Sequence, residues 1–146
     1  HKDGRYQLMR VPEKLFAGKD LLHLDKLDSK TVFNLIYSEG ESQICYAKRF
    51  KVEKFILEKE YRLFEASHQA KILHLSQGNG ISVEVVLVPH PRLRKSRDAF
   101  HFDDLTIKGI HSRGNRVSPK PIQRVRILPR QKQNEIQMSF DSDAKN

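Results

Sequence analysis

Apolar and polar residues alternate along much of this chain, the pattern of β-strands, whose side chains point in turn to opposite faces. The clearest run lies in residues 40–53, Gly-Glu-Ser-Gln-Ile-Cys-Tyr-Ala-Lys-Arg-Phe-Lys-Val-Glu. It opens with a turn and then places Ile44, Tyr46, Lys48, Phe50 and Val52 on one face, with Gln43, Cys45, Ala47, Arg49 and Lys51 on the other. The first face is apolar apart from Lys48. Residues 31–37 precede it as a β-branched and aromatic strand, and Ser38-Glu39-Gly40 joins the two into a hairpin.

The rest of the chain carries the same kind of signal. Residues 4–11 follow an Asp-Gly turn as a strand that Pro12 ends or confines to an edge, and a connector runs from Lys14 to Gly18. The four leucines of residues 20–27 fit a strand or a short helix. Residues 55–60 read as a loop or a helical turn, and 61–64 and 71–75 as short strands. Gln77-Gly78-Asn79-Gly80 is a strong turn. After it Ile81, Val83, Val85 and Leu87 oppose Ser82, Glu84, Val86 and Val88. Pro89-His90-Pro91 breaks the alternation, a basic loop-like run spans 92–97, and apolar content resumes over 100–107. In the last strand Ile122, Arg124, Arg126 and Leu128 face one way and Gln123, Val125 and Ile127 the other, and Pro129 stops it. The polar residues beyond, 131–146, read as a disordered tail to a domain of 1–130.

Glycines precede strands at positions 4, 40, 78 and 114, separated by 36, 38 and 36 residues. Periods of roughly 20–50 residues mark solenoids, propellers and related arrays. The spacing predicts an all-β chain of about three blades, too few to close a ring. The units share little sequence beyond these glycines, so chance spacing is the alternative.

Composition adds the functional direction. The 146 residues carry a net charge of +9 and a pI near 9.8, which favours an anionic partner, nucleic acid or a membrane surface. No apolar run approaches a membrane span. The charge is uneven: residues 1–76 hold 14 Lys and Arg against 11 Asp and Glu, whereas residues 77–130 hold 11 against 4, a surplus of seven. The anion-binding face is therefore expected in 77–130. No signal peptide is visible, and a chain beginning at His1 suggests a piece of something larger. The single Cys45 has no second thiol for a disulfide or a zinc site, which fits a reducing, cytoplasmic setting.

Four basic clusters are candidate phosphate contacts: Lys48, Arg49 and Lys51; Arg92, Arg94, Lys95 and Arg97; Lys108, Arg113, Arg116 and Lys120, beside glycines whose backbone N–H groups approach phosphate closely; and Arg124, Arg126 and Arg130. The competing reading of each is a solvated surface charge. His101 and Asp103 would share a strand face, but further metal ligands are missing nearby in sequence. No HExxH, Gly-x-Ser-x-Gly or phosphate-loop motif occurs, so neither a catalytic residue nor a cofactor is assigned to this domain.

Several segments together resemble a known family: Phe16-Ala17-Gly18-Lys19-Asp20, Tyr46-Ala47-Lys48-Arg49-Phe50-Lys51-Val52, Lys59-Glu60-Tyr61, Lys71-Ile72-Leu73, Ile107-Lys108-Gly109 with Arg113-Gly114-Asn115, and Pro121-Ile122. They are similar to the C-terminal domain of the A subunit of bacterial type IIA topoisomerases, closer to the topoisomerase IV-like branch than to gyrase. The resemblance covers most of residues 1–130. It implies a β-pinwheel that binds duplex DNA on a basic rim without sequence readout and guides or bends the transported segment. It implies an isomerase whose A subunits dimerise through other domains, with a separate B subunit hydrolysing ATP and with magnesium elsewhere in the holoenzyme. Gyrase carries a Gln-Arg-Arg-Gly-Gly-Lys-Gly box. The nearest stretch here, Lys108-Gly109-Ile110-His111-Ser112-Arg113-Gly114, is a degenerate form, which argues against gyrase-style wrapping. Tyr6 follows Arg5, as the cleaving tyrosine of such enzymes follows an arginine, yet its alternating strand context marks it as a strand aromatic. The rival functions are an RNA-binding β module, a propeller docking an acidic protein, and, weakest, an enzyme.

Overall fold

The computed structural model describes residues 1–10, 14, 18–67 and 69–129. Val11 and Pro12, Phe16 and Ala17, Arg130 and the 131–146 tail lie outside the described residues. The described residues are all-β and form ten strands in several sheets, none closed into a barrel, consistent with a β-pinwheel-like fold. In order they are β1 (Arg5–Gln7), β2 (Phe33–Ser38), β3 (Cys45–Phe50), β4 (Glu60–Arg62), β5 (Lys71–Gln77), β6 (Ser82–Leu87), β7 (Arg97–His101), β8 (Ile107–Lys108), β9 (Asn115–Ser118) and β10 (Ile122–Ile127). One 3-10 turn, Phe102–Asp104, follows β7.

The β2–β3 hairpin is the centre of the molecule. Its strands pair antiparallel with Phe33 opposite Phe50 and Tyr37 opposite Tyr46. β5 flanks β2, while β8 and β9 both pair with β3. The other two sheets cover its faces. On one face Ile36, Cys45 and Ala47 pack with Val83, Val85, Phe102 and Ile122, from the sheet of order β10-β6-β7 and the turn after it. On the other, Leu35, Tyr37, Tyr46 and Phe50 pack with Leu63 and, at the margin, Tyr6, Leu8 and Phe64, around the β1–β4 pair. A strand enclosed on both faces has no solvent side, and every residue of β3 is buried.

That enclosure changes the reading of residues 43–52. The face carrying Cys45 and Ala47 meets a second sheet, because small side chains let the β6–β10 layer approach closely. Lys48 and Arg49 are consequently interior residues rather than the basic end of an exposed strand, with relative exposures of 1% and 6%.

Local chemistry accounts for most element ends. The turn after β5 uses left-handed backbone at Gly78 and Gly80, φ +96° and +72°, which glycine adopts without strain. The period of glycines does not reflect one repeated role. Gly4 and Gly78 are left-handed, whereas Gly114 is not; it is held where a Cβ would lie 2.7 Å from the Ala47 carbonyl oxygen. The sheets also draw strands from different repeat units, since β1 pairs with β4 and β3 with β8 and β9. β10 contains a bulge between Ile122 and Arg124, so Ile122 and Val125 both reach the core from positions that simple alternation assigns to opposite faces. Residues 21–28 form neither strand nor helix. Leu22, Leu24 and Leu27 stay exposed because no sheet offers them a partner face.

Candidate nucleic-acid interface

Two of the basic clusters merge on the outer face of the β10-β6-β7 sheet. Val83 and Val85 turn inward from β6, so Ser82, Glu84 and Val86 lie on the opposite face, where Glu84 is half-buried and Ser82 and Val86 are covered. Antiparallel register sets Arg124 and Arg97 on either side of Val86, and Arg126 and Ala99 on either side of Glu84. Three arginines from segments about thirty residues apart in sequence thus share one flat face. Its single acid is Glu84, whose carboxylate accepts from Arg126 at 3.0 Å and lies 3.7 Å from Arg97. Arg124 has no ion-pair partner among the described residues. Arg92, Arg94 and Lys95 are exposed on the loop that feeds β7, with Lys95 bonded to Asp98 at 3.1 Å.

One residue from each of the other two clusters, Lys51 and Lys108, lines an open groove. One wall is formed by Lys51, Glu53 and Lys54 as the chain leaves β3; the opposite wall includes Lys108, Gly109 and His111 after β8. The parallel pairing of Arg49 with Ile107 and Phe50 with Lys108 brings these walls together. Lys108 is half-buried and donates to the Asn115 side chain at 2.5 Å. Lys54 belongs to this groove and sequence reasoning missed it; the signal was its place three residues after Lys51.

Arg113 has a different occupation. It spans from the β8–β9 connection to Glu39 in the hairpin loop, with its guanidinium 2.8 and 2.9 Å from the two carboxylate oxygens and 4.8 Å over the Tyr46 ring. The hydrogen bond it donates to the Glu39 carboxylate raises its pKa further. Its charge is already met, which makes it a clasp between loops. Arg116 and Lys120 remain exposed beside it.

Lys48 and Arg49 do not reach any rim. Lys48 Nζ donates to three backbone carbonyls, of Ile110 at 2.6 Å, Leu63 at 2.7 Å and Ser112 at 3.0 Å, and lies 5.6 Å over the Phe50 ring. Burial pushes its pKa down to about 8, while the three carbonyl dipoles hold the ammonium in place. Arg49 bonds the Asn34 and Asn79 side chains at 3.1 and 2.5 Å and lies 3.6 Å from Asp103. Both are internal ties, because a buried cation without such partners would be strongly unfavourable.

The remaining chemical candidates are engaged structurally. Asp103 accepts from the Gly80 N–H through both oxygens at 3.0 Å, and His101 Nδ1 lies 2.6 Å from Ser82 Oγ. The strand ends at His101, so the two do not share a strand face. Tyr6 stacks on Tyr61 at 5.4 Å between ring centres; burial, with the neighbouring Tyr61, pushes its hydroxyl up to about 12.

Against this geometry, the family model described as the topoisomerase C-terminal domain of Bacteroidota matches residues 1–129. Neither a curated protein nor a solved structure matches the chain.

Proposed function

The chain belongs to the topoisomerase C-terminal domain family of Bacteroidota, and we propose on that premise that it holds and bends duplex DNA for a topoisomerase IV-like A subunit. The observation that carries this reading is the outer face of the β10-β6-β7 sheet, where Arg97, Arg124 and Arg126 lie together and one carboxylate, Glu84, meets only Arg97 and Arg126. Arginines on a flat sheet face present their guanidinium groups to phosphates without inserting into a groove, so they neutralise the backbone and carry little sequence information. The exposed Arg92 and Arg94 extend the same field.

In this reading the domain guides the transported segment and leaves cleavage to other parts of the enzyme. The raised hydroxyl of Tyr6 supports that division, since a nucleophilic tyrosine needs the opposite shift. The degenerate glycine-arginine stretch at 108–114 favours the topoisomerase IV-like branch over gyrase. ATP, magnesium, the ATPase B subunit and A-subunit dimerisation belong to the cytoplasmic holoenzyme. An RNA module is disfavoured because Tyr37 with Phe64, and Phe33 with Phe50, spend their ring faces on each other instead of on unpaired bases.

Fluorescence anisotropy with duplex DNA, single-stranded RNA and an acidic polypeptide as competitors tests the assignment. Duplex is expected to compete best. Preference for RNA or for the polypeptide would overturn it.

A further inference from the structure

The loop 54–59 presents Phe55, Ile56 and Leu57 in succession, with relative exposures of 36%, 62% and 45%. Such a run is unusual because a loop normally turns at least one such side chain inward. This loop is fastened instead. Its Ile56 N–H donates to the Tyr61 hydroxyl at 2.8 Å, its Glu58 N–H to the Leu8 carbonyl at 2.6 Å, and Gln7 Nε2 to the Glu58 carbonyl at 2.7 Å. Glu58 holds a left-handed backbone, φ +66°. The apolar tip is therefore a shaped projection, anchored on β1 and β4.

The groove beside it is basic, lined by Lys51, Lys54 and Lys108 against Glu53. Lys54 opens the loop and lines the groove with Lys51 and Lys108, and Lys59 closes it with its ammonium 5.2 Å over the Tyr61 ring. Residues 51–60 hold Lys51, Lys54 and Lys59 against Glu53, Glu58 and Glu60, and Lys108 adds a fourth lysine from across the groove. An apolar wedge flanked by cations matches duplex DNA: apolar side chains slip between base pairs from the minor groove while cations hold the phosphates on either side.

We propose that loop 54–59 is a wedge that partly unstacks one base step of bound duplex DNA and kinks it, with Lys51, Lys54 and Lys108 gripping the adjacent phosphates. This rests on the duplex-binding reading above and gives it a mechanism for bending. Ile56, the most exposed of the three, is the leading side chain. The loop and the arginine face would then divide the work, one kinking the DNA and the other holding it.

The test uses the whole chain with a duplex carrying 2-aminopurine, whose fluorescence rises on unstacking, and a doubly labelled duplex that reports end-to-end distance. Saturating wild-type protein is expected to raise the fluorescence several-fold and shorten the end-to-end distance. At protein concentrations that saturate the duplex, Ile56→Ser and Leu57→Ser are expected to return both signals toward those of free duplex. Both positions are exposed, so an unchanged thermal midpoint verifies folding, and the wild-type signals stand independently of any variant. Duplex bound without unstacking would overturn the wedge and leave the binding reading intact. No duplex binding at low salt would overturn both. Binding to vesicles of anionic phospholipid, with no unstacking of DNA, would reassign the loop to a lipid surface and overturn the proposal.

Discussion

Lys48 Nζ lies 2.6 Å from the backbone oxygen of Ile110, a contact that ties the central strand to the loop after β8 from inside the protein. The same ammonium holds Leu63 and Ser112, so one side chain fixes three chain segments around the hairpin. Lys48→Ala would leave three carbonyls without their donor and open a cavity. We predict a loss of at least about 3 kcal/mol, given roughly 1–3 kcal/mol for each buried polar group left unsatisfied. Urea denaturation measures it. A surface phosphate ligand would show a normal midpoint and weakened DNA binding instead.

The alkaline stability profile should have two limbs. Lys48 has a folded pKa of about 8 against 10.5 when unfolded, so between these values the unfolded chain holds the proton more tightly and rising pH favours the native state. Tyr6 has a folded pKa of about 12 against 10.0, so above pH 10 the unfolded chain ionises first and rising pH favours unfolding. The urea midpoint is predicted to rise above pH 8 and fall beyond pH 10. Tyr6→Phe should soften the fall and Lys48→Met should flatten the rise. Spectrophotometric titration should show one tyrosine, lost in Tyr6→Phe, that ionises well above the ordinary tyrosine value of 10.0.

Glu84 restrains two arginines of the proposed DNA face. Glu84→Gln should therefore strengthen duplex binding by several-fold at low salt, with the gain shrinking as salt screens the face. Anisotropy titrations at two salt concentrations measure this. Weakened binding would mean that the carboxylate positions the arginines rather than competing for them.

Gly114 sits where a methyl group would come within 2.7 Å of the Ala47 carbonyl oxygen and 3.2 Å of Tyr46 Cβ. Both atoms belong to the most enclosed strand and cannot yield easily. Gly114→Ala is predicted to cost about 1–3 kcal/mol through overpacking, seen as a lowered thermal midpoint.

Much of this architecture was legible in the sequence, and the failures have specific causes. Alternation located β2, β3, β5, β6 and β10 within a residue or two, because each has one strongly apolar face. It also separated Arg124 and Arg126 from Val125. It did not reveal that β3 is covered twice, because Cys45 and Ala47 are too small to announce a buried face. The lysine on an otherwise apolar face was the available sign that Lys48 is interior. The bulge at 122–124 shifts Ile122 onto the core, and no residue there predicts it. The leucines of 20–27 suggested a regular element, yet such a segment needs a partner surface to become one. The meeting of Arg97 with Arg124, and of Lys51 with Lys108, depends on long-range strand pairing that composition cannot encode.

The central claim is that this domain grips duplex DNA through backbone charge, and the salt dependence of duplex affinity tests it most directly. With Arg92, Arg94, Arg97, Arg124 and Arg126 in play, the plot of log affinity against log salt should fall with a slope of about −3 to −5, at roughly −0.9 per neutralised phosphate. The combined change of Arg97, Arg124 and Arg126 to Gln should flatten that slope by about 3. A flat plot for the wild-type chain, or a slope unchanged by the triple substitution, would contradict the account.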